Sequence, residues 1–191
     1  VQAINTSFAV WDVTNTPEKI LGPVLGNAFW DGFGGDCEFH IHGDAIVVFD
    51  ALAGRWVATQ FAIRGPTGSY QCVAISQTAD PTGAYYRYAF FMSATKHTDY
   101  SKLGVWPDAY YMTTNQFESL GEYAGAGVAA FERYFLRRAL REAKGDFEAI
   151  PYTAEGRGAG NRWDPARDEA SGEACRAYGA AGIMRMPGRL H

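Results

Sequence analysis

The sequence has no apolar run that approaches the roughly 20 residues a membrane-spanning helix needs. It is also poor in basic residues over most of its length. Residues 1–131 carry 6 Lys and Arg against 12 Asp and Glu, whereas residues 132–191 carry 11 against 9. Because binding to phosphate groups needs a basic surface, we expect no nucleic acid and no membrane as partner. An acidic body of this kind would instead attract metal cations.

Recognisable nucleophiles are also lacking. No G-x-S-x-G motif is present, so no serine is marked as a hydrolase nucleophile. The three cysteines are Cys37, Cys72 and Cys175, which leaves at least one of them unpaired. A Cys37–Cys72 disulfide would fit an extracellular protein, and two small buried thiols are the alternative. No signal peptide is visible at Val1, which fits either a processed secreted protein or a truncated sequence. We expect a secreted or periplasmic protein.

Glycine and aromatic residues are abundant, with 22 Gly and 15% aromatics, and this combination is typical of an all-β protein with many turns. Apolar alternation bounded by turn signals predicts strands near residues 4–13, 19–24, 38–42, 45–50, 55–63, 70–76, 85–92, 103–108, 109–114 and 125–131. Residues 45–92 thus hold four strands joined by short turns, the length and strand count of one β-propeller blade. The fold class we predict is mainly β, with antiparallel propeller-like blades that form a partial propeller. A sandwich or small barrel is the alternative.

The character of the chain changes near Phe131. Residues 132–144 have the apolar periodicity of an amphipathic helix, and Gly145 is a plausible end to it. The residues that follow read as a flexible tail, and residues 179–191 even read as vector sequence. We therefore divide the chain into a β-propeller-like domain (1–131) and a helix with an irregular tail (132–191).

Three segments resemble a family of secreted bacterial proteins that have propeller-like blades and largely unassigned function. They are GDAIVVFDALAGRWVATQF (43–61), YQCVAISQTADPTGAYYRYAF (70–90) and DYSKLGVWPDAYYMTTN (99–115), and the resemblance covers residues 5–131. Such blades are loosely similar to those of sialidases, but the S-x-D-x-G-x-T-W box of sialidases is absent here. The resemblance therefore implies a fold and a secreted location, and it carries over no catalytic residue. The pair His40 and His42 departs from the family pattern.

Glu38, His40 and His42 alternate along a predicted strand, so their side chains would share one face. A carboxylate beside two imidazoles suits zinc or another divalent cation, and water bound to that ion could attack an ester, lactone or amide carbonyl. A polar edge strand facing solvent is the alternative interpretation. Asp36 and Asp44 are the supporting ligands that we predict.

Oxygen ligands on glycine-rich turns suit calcium, which makes Asp31, Asp36, Asp44 and Asp50 a second candidate set. For Asp44 and Asp50, side-chain caps of turns are the alternative. His97 and Asp99 fall in a predicted polar loop, where His97 would be solvated or an additional ligand.

Five aromatic residues, Trp30, Trp56, Trp106, Tyr110 and Tyr111, either line a sugar-binding platform or pack in the core. Together these features predict a metal-dependent hydrolase of a small ester or lactone, for example of acyl-homoserine lactone type, in which Glu38, His40 and His42 bind calcium or zinc. The alternative function is a secreted glycan- or protein-binding β module without catalysis.

Overall fold

A computed structural model describes residues 1–65, 68–118, 121–132 and 182–185. Within them the fold is mainly antiparallel β, which confirms the mainly β part of the predicted class. A 3₁₀ helix (Gly26–Phe29) and the one-turn helix α1 (Asp36–Phe39) precede the fourth strand. The strands are β1 (Gln2–Ile4), β2 (Ser7–Asp12), β3 (Glu18–Leu25), β4 (Ile46–Asp50), β5 (Arg55–Ile63), β6 (Ser69–Ser76), β7 (Ala84–Ser93), β8 (Lys96–Val105), β9 (Ala109–Glu118), β10 (Tyr123–Glu132) and β11 (Gly182–Arg185). No described helix is long and apolar enough to cross a membrane.

The strands form three sheets, with orders β1-β2-β3, β11-β7-β6-β5-β4 and β10-β9-β8. Strands β4 to β7 are a meander, because each pairs with the strand that follows it in the chain. Aspartates close two of its turns, and for Asp50 this is the capping role that the sequence analysis gave as an alternative. Asp50 accepts the backbone N–H of Ala53 at 3.0 Å, and Asp80 accepts that of Thr82 at 2.8 Å. The four strands predicted in residues 45–92 are therefore confirmed.

One face of the meander packs against the N-terminal residues. Its small side chains, among them Ala58, Ala62, Cys72 and Ala74, form one core with bulky rings from the strands and helices before β4. The rings of Phe8, Phe29 and Trp30 fill this layer, and Trp30 is fully buried. Small residues on the sheet leave room for large residues on the covering layer, which is how close packing is reached.

The other face of the meander packs against the sheet of β8, β9 and β10. Alternate residues of the same strands, such as Val57, Val73 and Tyr88, share a second core with Met112 and Phe131. Strand β8 contacts all four strands of the meander. Strands β5 and β6 are thus covered on both faces, which explains why successive residues along them are buried.

The disulfide between Cys37 and Cys72 joins α1 to β6, with the two Cα atoms 5.7 Å apart. Both residues are completely buried. The predicted pairing is confirmed, and the alternative of two separate thiols is wrong. Cys175 lies outside the described residues.

Three sequence predictions differ from the structure. Residues 38–42 are not a strand, because α1 and the turn after it occupy this stretch. The polar loop predicted around His97 is the first half of β8. Residues 182–185, assigned to an irregular tail, form β11 beside β7. Of the predicted helix at 132–144, Glu132 is the last residue of β10, and residues 133–144 lie outside the described residues. No sheet among those described closes on itself.

Candidate ligand-binding site

The predicted row of Glu38, His40 and His42 is wrong as a strand face. Gly34 and Gly35 have φ angles of +82° and +69°, a conformation that glycine adopts without steric cost, and they turn the chain into α1. Glu38 lies in α1, His40 is the residue that caps its end, and His42 follows Ile41, which forms an isolated bridge with Ala62. No group of three or more His, Cys, Asp or Glu side chains that could hold a metal occurs in the described part of the chain.

Glu38 stabilises the glycine-rich turn that precedes it by accepting backbone hydrogen bonds. Its two carboxylate oxygens accept the backbone N–H groups of Gly32, at 3.2 Å, and of Gly34. Arg87, which is buried on β7, holds the same turn by donating to the backbone oxygen of Asp31 at 2.8 Å. Burial lowers the pKa of Arg87, while Glu38 and Asp31 oppose that effect. Glu38 and Arg87 therefore have a structural role in this turn.

The side chains of His40 and His42 contact different groups. His40 Nδ1 lies 3.0 Å from Asp36 Oδ1 without the angles of a hydrogen bond, and Arg64 Nε is 3.8 Å from the same oxygen. The Nδ1 atom of His42 contacts the backbone, near the oxygen of His40 and 3.2 Å from the N–H of Ile63, and its ring stacks on Phe61. Among the side chains of the five predicted ligands, those of Asp36 and His40 are in contact with each other.

The predicted calcium ligands are also dispersed. Asp50 is buried and accepts the hydroxyl of Tyr110 at 2.7 Å, so it caps a turn and supports the core. Asp44 lies near Asp99 of β8, and its backbone has a positive φ of 48°. Burial first, and then the charge and hydrogen bond of Asp99, raise the pKa of Asp44, whereas Lys102 lowers it.

The aromatic set separates into core and surface residues. Trp30 and Tyr110 are buried, and Trp56 is half-buried, with its indole N–H donating to the backbone oxygen of Ala79 at 3.0 Å. Trp106 and Tyr111 are different, because 65% of Trp106 and 43% of Tyr111 are exposed. The packing interpretation holds for the first three, and the platform interpretation fits the last two.

Trp106 and Tyr111, which we call the aromatic platform, line a shallow groove together with Gly104 and Val105. The groove has a volume of about 290 Å³. In the strand register Tyr111 lies opposite Gly104 on β8 and Ala130 on β10. Because both neighbours are small, they leave the Tyr111 ring open on the outer face of the sheet. The turn that carries Trp106 is closed by its N–H donating to the oxygen of Ala109 at 3.0 Å.

Two carboxylates border the platform. Asp108 accepts the hydroxyl of Tyr111 at 2.9 Å, and this hydrogen bond is the main reason why the pKa of Tyr111 is raised. Glu132 is opposite Ala109 in the register. Burial, followed by the negative charge of Asp108, raises the pKa of Glu132. The site thus combines two exposed rings with acceptor groups at one edge.

The sequence carried a signal for this site that the strand analysis did not use. Trp106, Asp108 and Tyr111 lie within the short segment WPDAYY, where a tight turn brings a ring and a carboxylate back over the next strand. A second cleft of about 370 Å³ is lined by the end of β5, the turns on either side of the β6–β7 pair, and the start of β8, which contributes Lys96 and His97. The His97 ring stacks on Phe117, so this histidine is a packing residue.

Comparisons of the chain with protein-family models, with curated proteins and with solved structures find no match. The family resemblance described above therefore stays a prediction.

Proposed function

We propose that the chain is a secreted β module that binds a glycan on the aromatic platform and performs no catalysis. The observation that carries this proposal is that two exposed rings, Trp106 and Tyr111, line one groove beside the Asp108 carboxylate. Flat rings offer a large and rigid contact area at low conformational cost. Carboxylates at the edge of the rings can accept hydrogen bonds from sugar hydroxyls, and charge-assisted hydrogen bonds of this kind are strong.

A secreted location is part of this proposal. The disulfide between Cys37 and Cys72 supports it, since disulfides persist in oxidising compartments and are rare in the cytosol. Retention of the disulfide in protein isolated from its native compartment tests this part of the proposal. Free thiols at both positions would contradict it.

Substitution of the platform residues tests the binding function. A glycan array identifies a ligand, and isothermal titration then compares the native chain with Trp106→Ala and Tyr111→Ala. We expect each variant to weaken binding by about tenfold or more, because central aromatic residues dominate such interfaces. Trp11→Ala is the matched control, since Trp11 is a partly exposed tryptophan on β2 of another sheet. Binding that survives both platform substitutions, or an array without a ligand, would contradict the proposal.

For the architecture, we propose that the three sheets are successive blades of a propeller-like arrangement. The meander β4 to β7 supports this, together with the two cores that it shares with the sheets on either side. A crystal structure in which the sheets radiate from one axis is the expected result. Strands β8 to β10 closing into a barrel with the meander would contradict it.

The metal-dependent hydrolase stays a prediction that ranks behind glycan binding, because its three ligands are not grouped. Elemental analysis of the purified protein tests it. A stoichiometric metal that is lost in a His40→Ala/His42→Ala variant, together with lactone hydrolysis that is abolished by chelation, would restore it.

A further inference from the structure

The aromatic platform lies in a part of the chain that contains no basic residue. Between Leu103 and Glu132 the only charged side chains are four acids: Asp108, Glu118, Glu122 and Glu132. Two basic residues flank this stretch in the sequence, Lys102 and Arg133. The ammonium group of Lys102 lies over the ring of Tyr100, and Arg133 lies outside the described residues. A ligand on the platform therefore meets negative charge from this part of the sheet.

Two of these acids are at the platform, and two are at the far end of the same sheet. Asp108 bonds to Tyr111, and Glu132 is paired with Ala109 at the start of β9. Glu118 ends β9, and Glu122 lies in the turn that follows it. A ten-residue strand is roughly 30 Å long, so the two pairs are separated by most of that distance.

The platform rings themselves favour a cation. The face of an aromatic ring carries partial negative charge, and tryptophan is the best of the rings at attracting an ammonium group. Two neighbouring carboxylates are stabilised when a positive charge comes between them. After burial, the charge of Asp108 is the second cause of the raised pKa of Glu132, and both residues border the platform. An anionic glycan would be repelled by the same groups.

We infer that the glycan bound by the aromatic platform is a cationic one, built of amino sugars whose amino groups are free and protonated. This inference rests on the proposed glycan-binding function and adds the chemical class of the ligand. The apolar face of the sugar ring lies on Trp106 or Tyr111, and the ammonium group faces Asp108 and Glu132.

Titration with two oligosaccharides of equal length tests the inference. One is a β-1,4-linked glucosamine oligomer, and the other is its fully N-acetylated, neutral counterpart. At a pH that keeps the amines protonated, we expect the cationic oligomer to bind about tenfold tighter, and added salt to reduce that difference. The Asp108→Asn/Glu132→Gln variant should lose the preference, so that the cationic oligomer binds no tighter than the neutral one. Glu118→Gln/Glu122→Gln removes the same charge far from the platform and should retain the preference.

The possible outcomes separate this inference from the proposed function. Equal binding of the two oligomers in the native chain would overturn the inference and leave the glycan-binding function in place. Binding of neither oligomer, together with an array that shows no ligand, would overturn both. Oligolysine that binds as tightly as the glucosamine oligomer, with no effect of Trp106→Ala, would show attraction by charge alone and would also overturn the inference.

Discussion

At the scale of single residues, Asp44 combines a carboxyl group near Asp99 with a left-handed backbone. Its pKa is raised above the value of 3.8 that it has in the unfolded chain. The folded state therefore binds more protons than the unfolded state, and the stability contributed by Asp44 falls as the pH rises from 3.8 through the folded pKa. Asparagine tolerates a positive φ, so we expect Asp44→Asn to raise the free energy of unfolding at neutral pH.

Urea unfolding at several pH values between 4 and 8 measures this effect, as the difference between Asp44→Asn and the native chain. Asp12 is a control, because the shift of its pKa is opposite in sign to that of Asp44. The N–H and hydroxyl of Thr14 lower the pKa of Asp12, so its contribution is present above 3.8 and is lost as the pH falls through the lowered pKa. Asp12→Asn should therefore lower stability at neutral pH. An Asp44→Asn variant with the same pH dependence as the native chain would disprove the role of Asp44.

Adjacent tyrosines on β9 offer a second comparison at this scale. Tyr110 is buried and donates to the buried carboxylate of Asp50, whereas the hydroxyl of Tyr111 bonds to Asp108 at the surface. Loss of a hydrogen bond to a buried charged group costs about 1.5–3 kcal/mol, so we expect Tyr110→Phe to lose that much stability. Tyr111→Phe should lose less than about 0.5 kcal/mol. Chemical denaturation measures both changes, and equal losses would contradict the buried role of Asp50.

Among the elements, α1 is attached to the meander by a covalent bond. The disulfide Cys37–Cys72 spans 35 residues of sequence, and closing a loop of that length stabilises the folded state by about 3–4 kcal/mol in the chain-entropy model. We expect Cys37→Ala/Cys72→Ala to lose stability of that order in thermal and denaturant unfolding. Cys175→Ala is the matched control. A double variant as stable as the native chain would show that packing alone holds α1.

Strand boundaries were predictable wherever a turn signal separated two apolar stretches. The turns after Asp50 and Asp80 have local causes, an aspartate oxygen and a glycine, and so the ends of β4 to β7 were predicted closely. The alternation of Glu38, His40 and His42 led to the wrong prediction of a strand, because the positive φ angles of Gly34 and Gly35 decide the local conformation. The polar first half of β8 was missed for another reason. Thr98 is buried, and its hydroxyl group forms a hydrogen bond with that of Ser69 in another sheet. No local sequence pattern reveals this contact.

The candidate site was only partly predictable for the same reason. The sequence analysis placed Trp106 and Tyr111 among five aromatic candidates. Their solvent exposure distinguishes them from the buried Trp30 and Tyr110, and it depends on how the sheets pack against one another. Tyr110 and Tyr111 are neighbours in sequence, and strand alternation directs one inward and the other outward. The position of the meander is needed to decide which of the two tyrosines points inward.

On the scale of the whole molecule, the middle sheet is enclosed by its two neighbours. Amide hydrogens of β5 and β6 can exchange with deuterated solvent only after a covering layer lifts away, whereas those of β1, at an outer edge, need little motion. We expect mass spectrometry of deuterium uptake to show the slowest exchange in residues 55–63 and 69–76. Uniform uptake across the sheets would contradict this order.

The disulfide makes that enclosure asymmetric. One covering layer is tied to β6 by a disulfide through Cys37, whereas the described part of the β8–β10 layer is joined to the meander by the backbone between β7 and β8 and by no disulfide. The layer that carries Trp106 and Tyr111 should therefore be the first to separate under heat or mechanical load. Ligand binding would then raise the temperature at which the β8–β10 layer separates from the meander. Reduction of the disulfide would allow the opposite layer to separate equally easily.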